Sequence, residues 1–170
     1  GLINIKLKNS KLNQWNASLR SSYIQSTYPK GSFGGNFDYQ KNKLSLYSNL
    51  NYVNGSNAPV ETNKIYYPLG LWNEENKRRD FQNSVNSRIG ADYKVSEKFS
   101  VGMQYLGSFS KPKIAENSLT TIYNQTNSQI DSYINTLSEN LGKNNNHSIN
   151  LNSTVVFDTI RKKMNINLDY

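Results

Sequence analysis

Three aromatic side chains, Tyr66, Tyr67 and Trp72, stand close together in the chain, with a basic pair, Arg78 and Arg79, just beyond them. Rings stack on sugars and peptides, and guanidinium groups hold anions, so these five residues are the first candidates for ligand contact. The competing reading is that they pack a long loop against its neighbours. Catalytic chemistry has no comparable signal. The single histidine, His147, lies in an Asn-rich run with no cysteine in the chain to share a metal. Glu61 and the Glu74-Glu75 pair sit among polar residues, where solvated charge is the ordinary explanation. No glycine-rich phosphate loop, nucleophile elbow or paired-acid arrangement is present. We therefore expect no enzyme, no catalytic residue, no metal and no cofactor.

The elements that must position these residues are strands. From Val85 to Phe109 two period-2 ladders flank one polar turn, Lys94 to Lys98. Val85, Ile89, Ala91 and Tyr93 share one face with Ser87, while Asn86, Arg88 and Asp92 share the other. Phe99, Val101, Met103, Tyr105 and Phe109 repeat the pattern, which predicts an antiparallel hairpin. The same alternation recurs at Trp15 to Tyr23, at Phe33 to Tyr39, at Leu44 to Tyr52, at Ile149 to Phe157 and at Met164 to Tyr170. The opening run Gly1 to Lys8 reads as a further short strand. Between Asn54 and Phe81, and again between Lys111 and Asn146, the periodicity dissolves, predicting long segments without regular structure. Within the second, Leu119 to Tyr123 fits an extension of the preceding strand, and Ile130 to Leu141 has weak helical spacing.

Composition narrows the setting of these strands. Only 35% of residues are hydrophobic, and mean hydropathy is -0.75. A soluble core built from that would be thin. No window approaches the roughly 20 apolar residues of a membrane-spanning helix, which leaves strands as the one open route through a bilayer. The formal charge of +8 suits nucleic acid, anionic headgroups or plain solubility and does not choose among them. A nucleic-acid face would interleave rings with Lys and Arg, whereas these rings share their face with Leu, Ile and Val, so we expect no nucleic-acid partner. There is no initiating Met and no signal peptide, and strands stand at both ends. An internal piece of a longer protein is the expectation.

The connections alternate in length. Setting aside the turn at Pro29, short ones at Lys41, Lys94 and Asp158 alternate with the long segments, as in transmembrane barrels, where strand ends lie in different compartments. A run such as Phe99 to Phe109, at roughly 3.3 Å per residue and about 45° tilt, covers about 25 Å, the height of a barrel's apolar band. Aromatic residues gather towards the stripe ends, where interfacial girdles place them. The fold class expected is all-β, an antiparallel transmembrane β-barrel represented by about seven strands. A soluble sandwich would share the alternation and point its stripe inward.

Short motifs add a resemblance. Gly1-Leu2-Ile3-Asn4-Ile5-Lys6-Leu7-Lys8 resembles the last plug strand of TonB-dependent outer-membrane receptors. Leu46 to Tyr52, Ala91-Asp92-Tyr93, Thr120 to Asn124 and Phe157-Asp158-Thr159 resemble the first barrel strands of such receptors of Bacteroidota type. The resemblance implies residues 1–8 as the plug end and 9–170 as the start of a barrel of about 22 strands. It implies ligand uptake across the bacterial outer membrane, driven through TonB contacting the missing plug region. A surface lipoprotein is a further implied partner, with membrane lipid and lipopolysaccharide around the wall. Lipopolysaccharide phosphates are then a second use for the basic pair, and Arg20 and Arg88 face the lumen, where plug carboxylates can pair with them. The alternatives are a plugless outer-membrane barrel, either porin or assembly component, and a soluble basic β-domain that binds carbohydrate or nucleic acid.

Overall fold

The computed structural model describes residues 13–68, 70–124, 126, 128–157 and 162–170. The Gly1 to Lys8 run, which carries the plug reading, and residues 158–161 of the last short turn lie outside the described residues. All regular structure among the described residues is β. In order the strands are β1 (Asn13–Gln25), β2 (Pro29–Lys41), β3 (Leu44–Asn57), β4 (Val60–Tyr67) and β5 (Gly70–Lys94). They continue with β6 (Phe99–Ser110), β7 (Lys113–Asn124), β8 (Ile130–Leu141), β9 (Asn144–Val156) and β10 (Lys163–Asp169).

Every pairing is antiparallel, and the strands form one 10-stranded sheet that is not closed. Its main path runs β1-β2-β3-β5-β6-β9-β10. These are the seven strands that the apolar alternation predicts. The tight turn between β2 and β3 places Asn42 at φ 50°, a left-handed conformation that Asn tolerates better than most residues.

The long segments correct the sequence reading. Asn54 to Phe81 is the end of β3, then β4 and the first half of β5. Lys111 to Asn146 is largely β7 and β8. Far from lacking regular structure, both extend the sheet. β5 alone is 25 residues long, about 80 Å at strand rise. Its second half pairs with β3 and β6, and its first half with β4 and β7.

The register does not slip where β6 gives way to β7. Each strand advances by the same number of residues between Ser84↔Ser110 and Phe81↔Lys113. The same holds from Asn57↔Asp80 to Val60↔Lys77, and from Ser110↔Asn144 to Lys113↔Leu141. Pro59 and Pro112 interrupt the ladder because proline has no N–H to give. Their carbonyls still accept, Pro59 from the Arg78 N–H at 3.0 Å and Pro112 from that of Gly142 at 2.8 Å. Four neighbouring lines of chain thus run through the breaks and rise beyond the rest of the sheet as an extension. Leu119 to Tyr123 lies in β7 and so prolongs the line of β6, as its position suggests.

Ile130 to Leu141 is a strand, not a helix. Ile130, Ile134, Leu137 and Leu141 have helical spacing, but pairing with β7 satisfies the backbone of both segments. Cross-strand partners share a face, so the register also aligns the stripes. Trp15↔Tyr39, Tyr39↔Leu46, Leu46↔Ala91, Ala91↔Met103, Met103↔Leu151 and Leu151↔Leu168 form one unbroken apolar row. The opposite face reads Asn16, Asp38, Tyr47, Gly90, Gln104, Asn150 and Asp169 along one row. No hydrophobic side chain among the described residues is buried, and Leu19 is 79% exposed. Over its seven main strands the sheet is a single layer, largely apolar on one side and polar on the other.

Candidate functional site

Strand alternation separates the ligand-contact candidates. Arg78 and Arg79 are adjacent in sequence, so in β5 they point to opposite faces. Tyr67, Trp72 and Arg78 lie on the face continuous with the polar wall below. Tyr66 and Arg79 lie on the face continuous with the apolar stripe. The five residues do not form one site.

Tyr67 and Trp72 remain together at the tip of the β4–β5 hairpin, their ring centroids 5.1 Å apart and tilted at 58°. Below them on the same face Glu74 accepts from Ser118 Oγ at 2.8 Å and from Asn63 Nδ2 at 3.5 Å. Further down, Glu116 accepts from Asn76 and from Ser138. Arg78 is bound to Asp80, with Nε 2.8 Å and Nη2 3.0 Å from the carboxylate oxygens. Hydrogen bonding and charge from Asp80 push the Arg78 guanidinium still further above its ordinary range. Its donors are thereby engaged, which reduces what it offers an anion.

Arg79 has a different task. Its guanidinium carbon lies 3.6 Å from the centroid of the Tyr28 ring and 4.3 Å from that of Phe81, and Nε donates to Ser56 Oγ at 3.0 Å. Ser56 is only 4% exposed. This clamp ties the β1–β2 turn to the base of the extension.

The wider polar wall holds Arg88, already put on the polar side by the sequence alternation, beside residues that no motif marks. Arg88 Nε donates to Gln104 Oε1 at 3.0 Å, Tyr47 Oη donates to the same oxygen at 3.3 Å, and the Arg88 guanidinium lies 5.3 Å from the Tyr47 ring centroid. Asn49 donates to Asn36, which donates to Ser18 Oγ at 3.1 Å. Of these, Arg88, Tyr47, Asn49, Asn36 and Ser18 line an open groove of about 540 Å³ together with Asn16 and Asp38. The signal available in the sequence is the polar half of each alternation. The groove can hold a polar ligand or a packed polar domain through many neutral hydrogen bonds, one cation and one carboxylate.

His147 stands on the apolar face, where its Nδ1 is 2.8 Å from Tyr105 Oη and its ring meets Phe109 edge-on at 5.2 Å. Among the described residues no group of three or more His, Cys, Asp or Glu side chains is arranged to hold a metal ion. No family model, curated protein or solved structure matches this chain.

Proposed function

We propose that this chain is wall from an outer-membrane β-barrel, namely the plug end and first barrel strands of a TonB-dependent receptor that takes up a ligand across the bacterial outer membrane. One observation carries the membrane part. A single-layer antiparallel sheet presents a largely apolar face, with one unbroken apolar row across its seven main strands, opposite a polar face, and no hydrophobic side chain is buried among the described residues. In water so large an apolar patch would have to be covered, and a bilayer covers it. In lipid the open edges must find strands, because unpaired backbone groups are costly there. A closed barrel of more strands than these answers that need.

The distribution of side chains fits. Trp15, Tyr39, Tyr93 and Phe99 stand towards the short-turn end of the stripe, and Tyr23, Phe33, Tyr52 and Phe109 towards the other, as two aromatic girdles would. The extension then rises from the outer surface, with Tyr67 and Trp72 on the side continuous with the lumen. The groove around Arg88 faces the interior, where a plug would pack. The receptor assignment itself rests on the resemblance of the short motifs, and a plugless barrel would share the same wall.

Two tests bear on this reading. On extraction, the native protein should stay with outer membranes until detergent is added, and recovery in the aqueous phase without detergent would overturn the membrane assignment. The complete gene should encode a plug of over a hundred residues before this segment and many alternating strands after it, on the size of such receptors. A gene without the plug would leave the plugless barrel.

A further inference from the structure

We infer that the short-turn rim of the sheet is a binding surface for anionic glycerophospholipid headgroups of the leaflet it meets; this rests on the membrane reading above. Lys41 closes β2, Lys43 lies in the following turn, Lys94 closes β5, Lys98 precedes β6 and Lys163 opens β10. Each connection at this end therefore carries lysine. Glu97 is the one acidic residue within the described turns here, while Asp38, Asp92 and Asp169 lie further in, on the polar face.

Two contrasts separate this rim from ordinary solvated charge. Three cations of the extension have carboxylate partners: Lys77 with Glu75 at 2.7 Å, Arg78 with Asp80 at 2.8 Å and Lys113 with Glu139 at 2.8 Å. Among the described residues the five rim lysines named here form no ion pair, and Lys43 Nζ donates only to the Val95 carbonyl, at 3.0 Å. The rim also borders the apolar face directly. Leu44 faces Tyr93, and Phe99 faces Val155, which faces Met164, in the lowest apolar rows. Lys41 shares the apolar face with its register partner Leu44 and can lay its alkyl stem along that edge with its ammonium at headgroup level, while Lys94 and Lys163 alternate onto the polar face at the strand ends. Several such ammonium groups around one margin complement phosphodiester charge, and the attraction is screened by salt. A soluble acidic partner would need charge alone, whereas a lipid uses both the charge and the adjoining apolar rows.

The test uses the intact protein reconstituted in nanodiscs that contain phosphatidylcholine and phosphatidylglycerol in equal amounts. Lipids retained after gentle detergent release are counted by native mass spectrometry. The wild type should retain phosphatidylglycerol over phosphatidylcholine by about tenfold at low salt, and substitution of Lys41, Lys43, Lys94, Lys98 and Lys163 by Gln should bring the ratio within about twofold of unity. Unchanged heat-modifiability on gels would show that the Gln variant is folded. Equal retention of both lipids by the inserted wild type, or an unchanged preference in the folded variant, would overturn the inference. So would loss of the preference on adding a soluble polyglutamate peptide at constant ionic strength. Failure of the wild type to enter nanodiscs at all would count instead against the membrane reading.

Discussion

Met103 offers a direct test of which face meets lipid. It lies on the apolar face of β6 between Ala91 and Leu151 and is 55% exposed. Along β6 it stands four residues from Phe99 and six from Phe109, which at strand rise and about 45° tilt puts it about 9 Å above one margin of the apolar band and about 14 Å below the other. That is close to the middle, where an arginine on the lipid face of a barrel costs about 2–4 kcal/mol. On a sheet bathed in water the same substitution at a half-exposed position would cost about 0.5 kcal/mol or less. Asn150→Arg is the matched control, since Asn150 stands on the polar face beside Gln104 and Asp169, which can accept from the new guanidinium. Unfolding by guanidinium from lipid vesicles should show Met103→Arg lowering stability by about 2–4 kcal/mol and Asn150→Arg by less than about 1 kcal/mol. Equal effects at the two sites, or a larger one at Asn150, would refute the orientation.

Two further substitutions probe the architecture. Arg79→Ala removes the cation held between Tyr28 and Phe81 and leaves buried Ser56 without its donor, so the base of the extension should weaken by about 1–3 kcal/mol. Hydrogen exchange should then quicken in β4 and β7 while β9 and β10 keep their protection, and uniform protection would disprove the clamp. A Cβ at Gly90 would collide with the Tyr47 ring. Gly90→Ala should displace that ring and its bond to Gln104 at a cost of about 1 kcal/mol, and in a double-mutant cycle Tyr47→Ala should absorb most of the loss. Simple additivity would contradict the coupling.

The seven main strands were legible because one of their faces is apolar, so Phe99-Ser100-Val101-Gly102-Met103 announces its period. The extension was not. Trp72-Asn73-Glu74-Glu75-Asn76-Lys77 is polar on both sides, as a strand wetted on both faces should be, and it leaves no alternation to read. What makes it β is the register inherited from below, which continues past Pro59, Pro112 and Gly142 and is a property of paired strands. Ile130 to Leu141 shows the same limit, because its helical spacing is a local signal and its partner in β7 is not. The candidate site suffered in turn. A cluster read from a loop became two groups once Arg78 and Arg79 fell on opposite faces. Tyr67 and Trp72 kept their association because β4 and β5 pair with Tyr67 opposite Gly70, which leaves the two rings diagonal neighbours on one face.

The chain's two tryptophans stand on opposite faces, Trp15 on the apolar face and 70% exposed, Trp72 on the polar side of the extension. Single-tryptophan variants, Trp72→Phe and Trp15→Phe, reconstituted in vesicles with brominated acyl chains, report which face of the sheet lies in lipid. Trp15 should be strongly quenched by bromine, and Trp72 should escape bromine yet respond to aqueous iodide. Quenching of Trp72 by bromine to the same extent as Trp15, or quenching of Trp15 by iodide alone, would contradict a sheet whose apolar face lies in lipid.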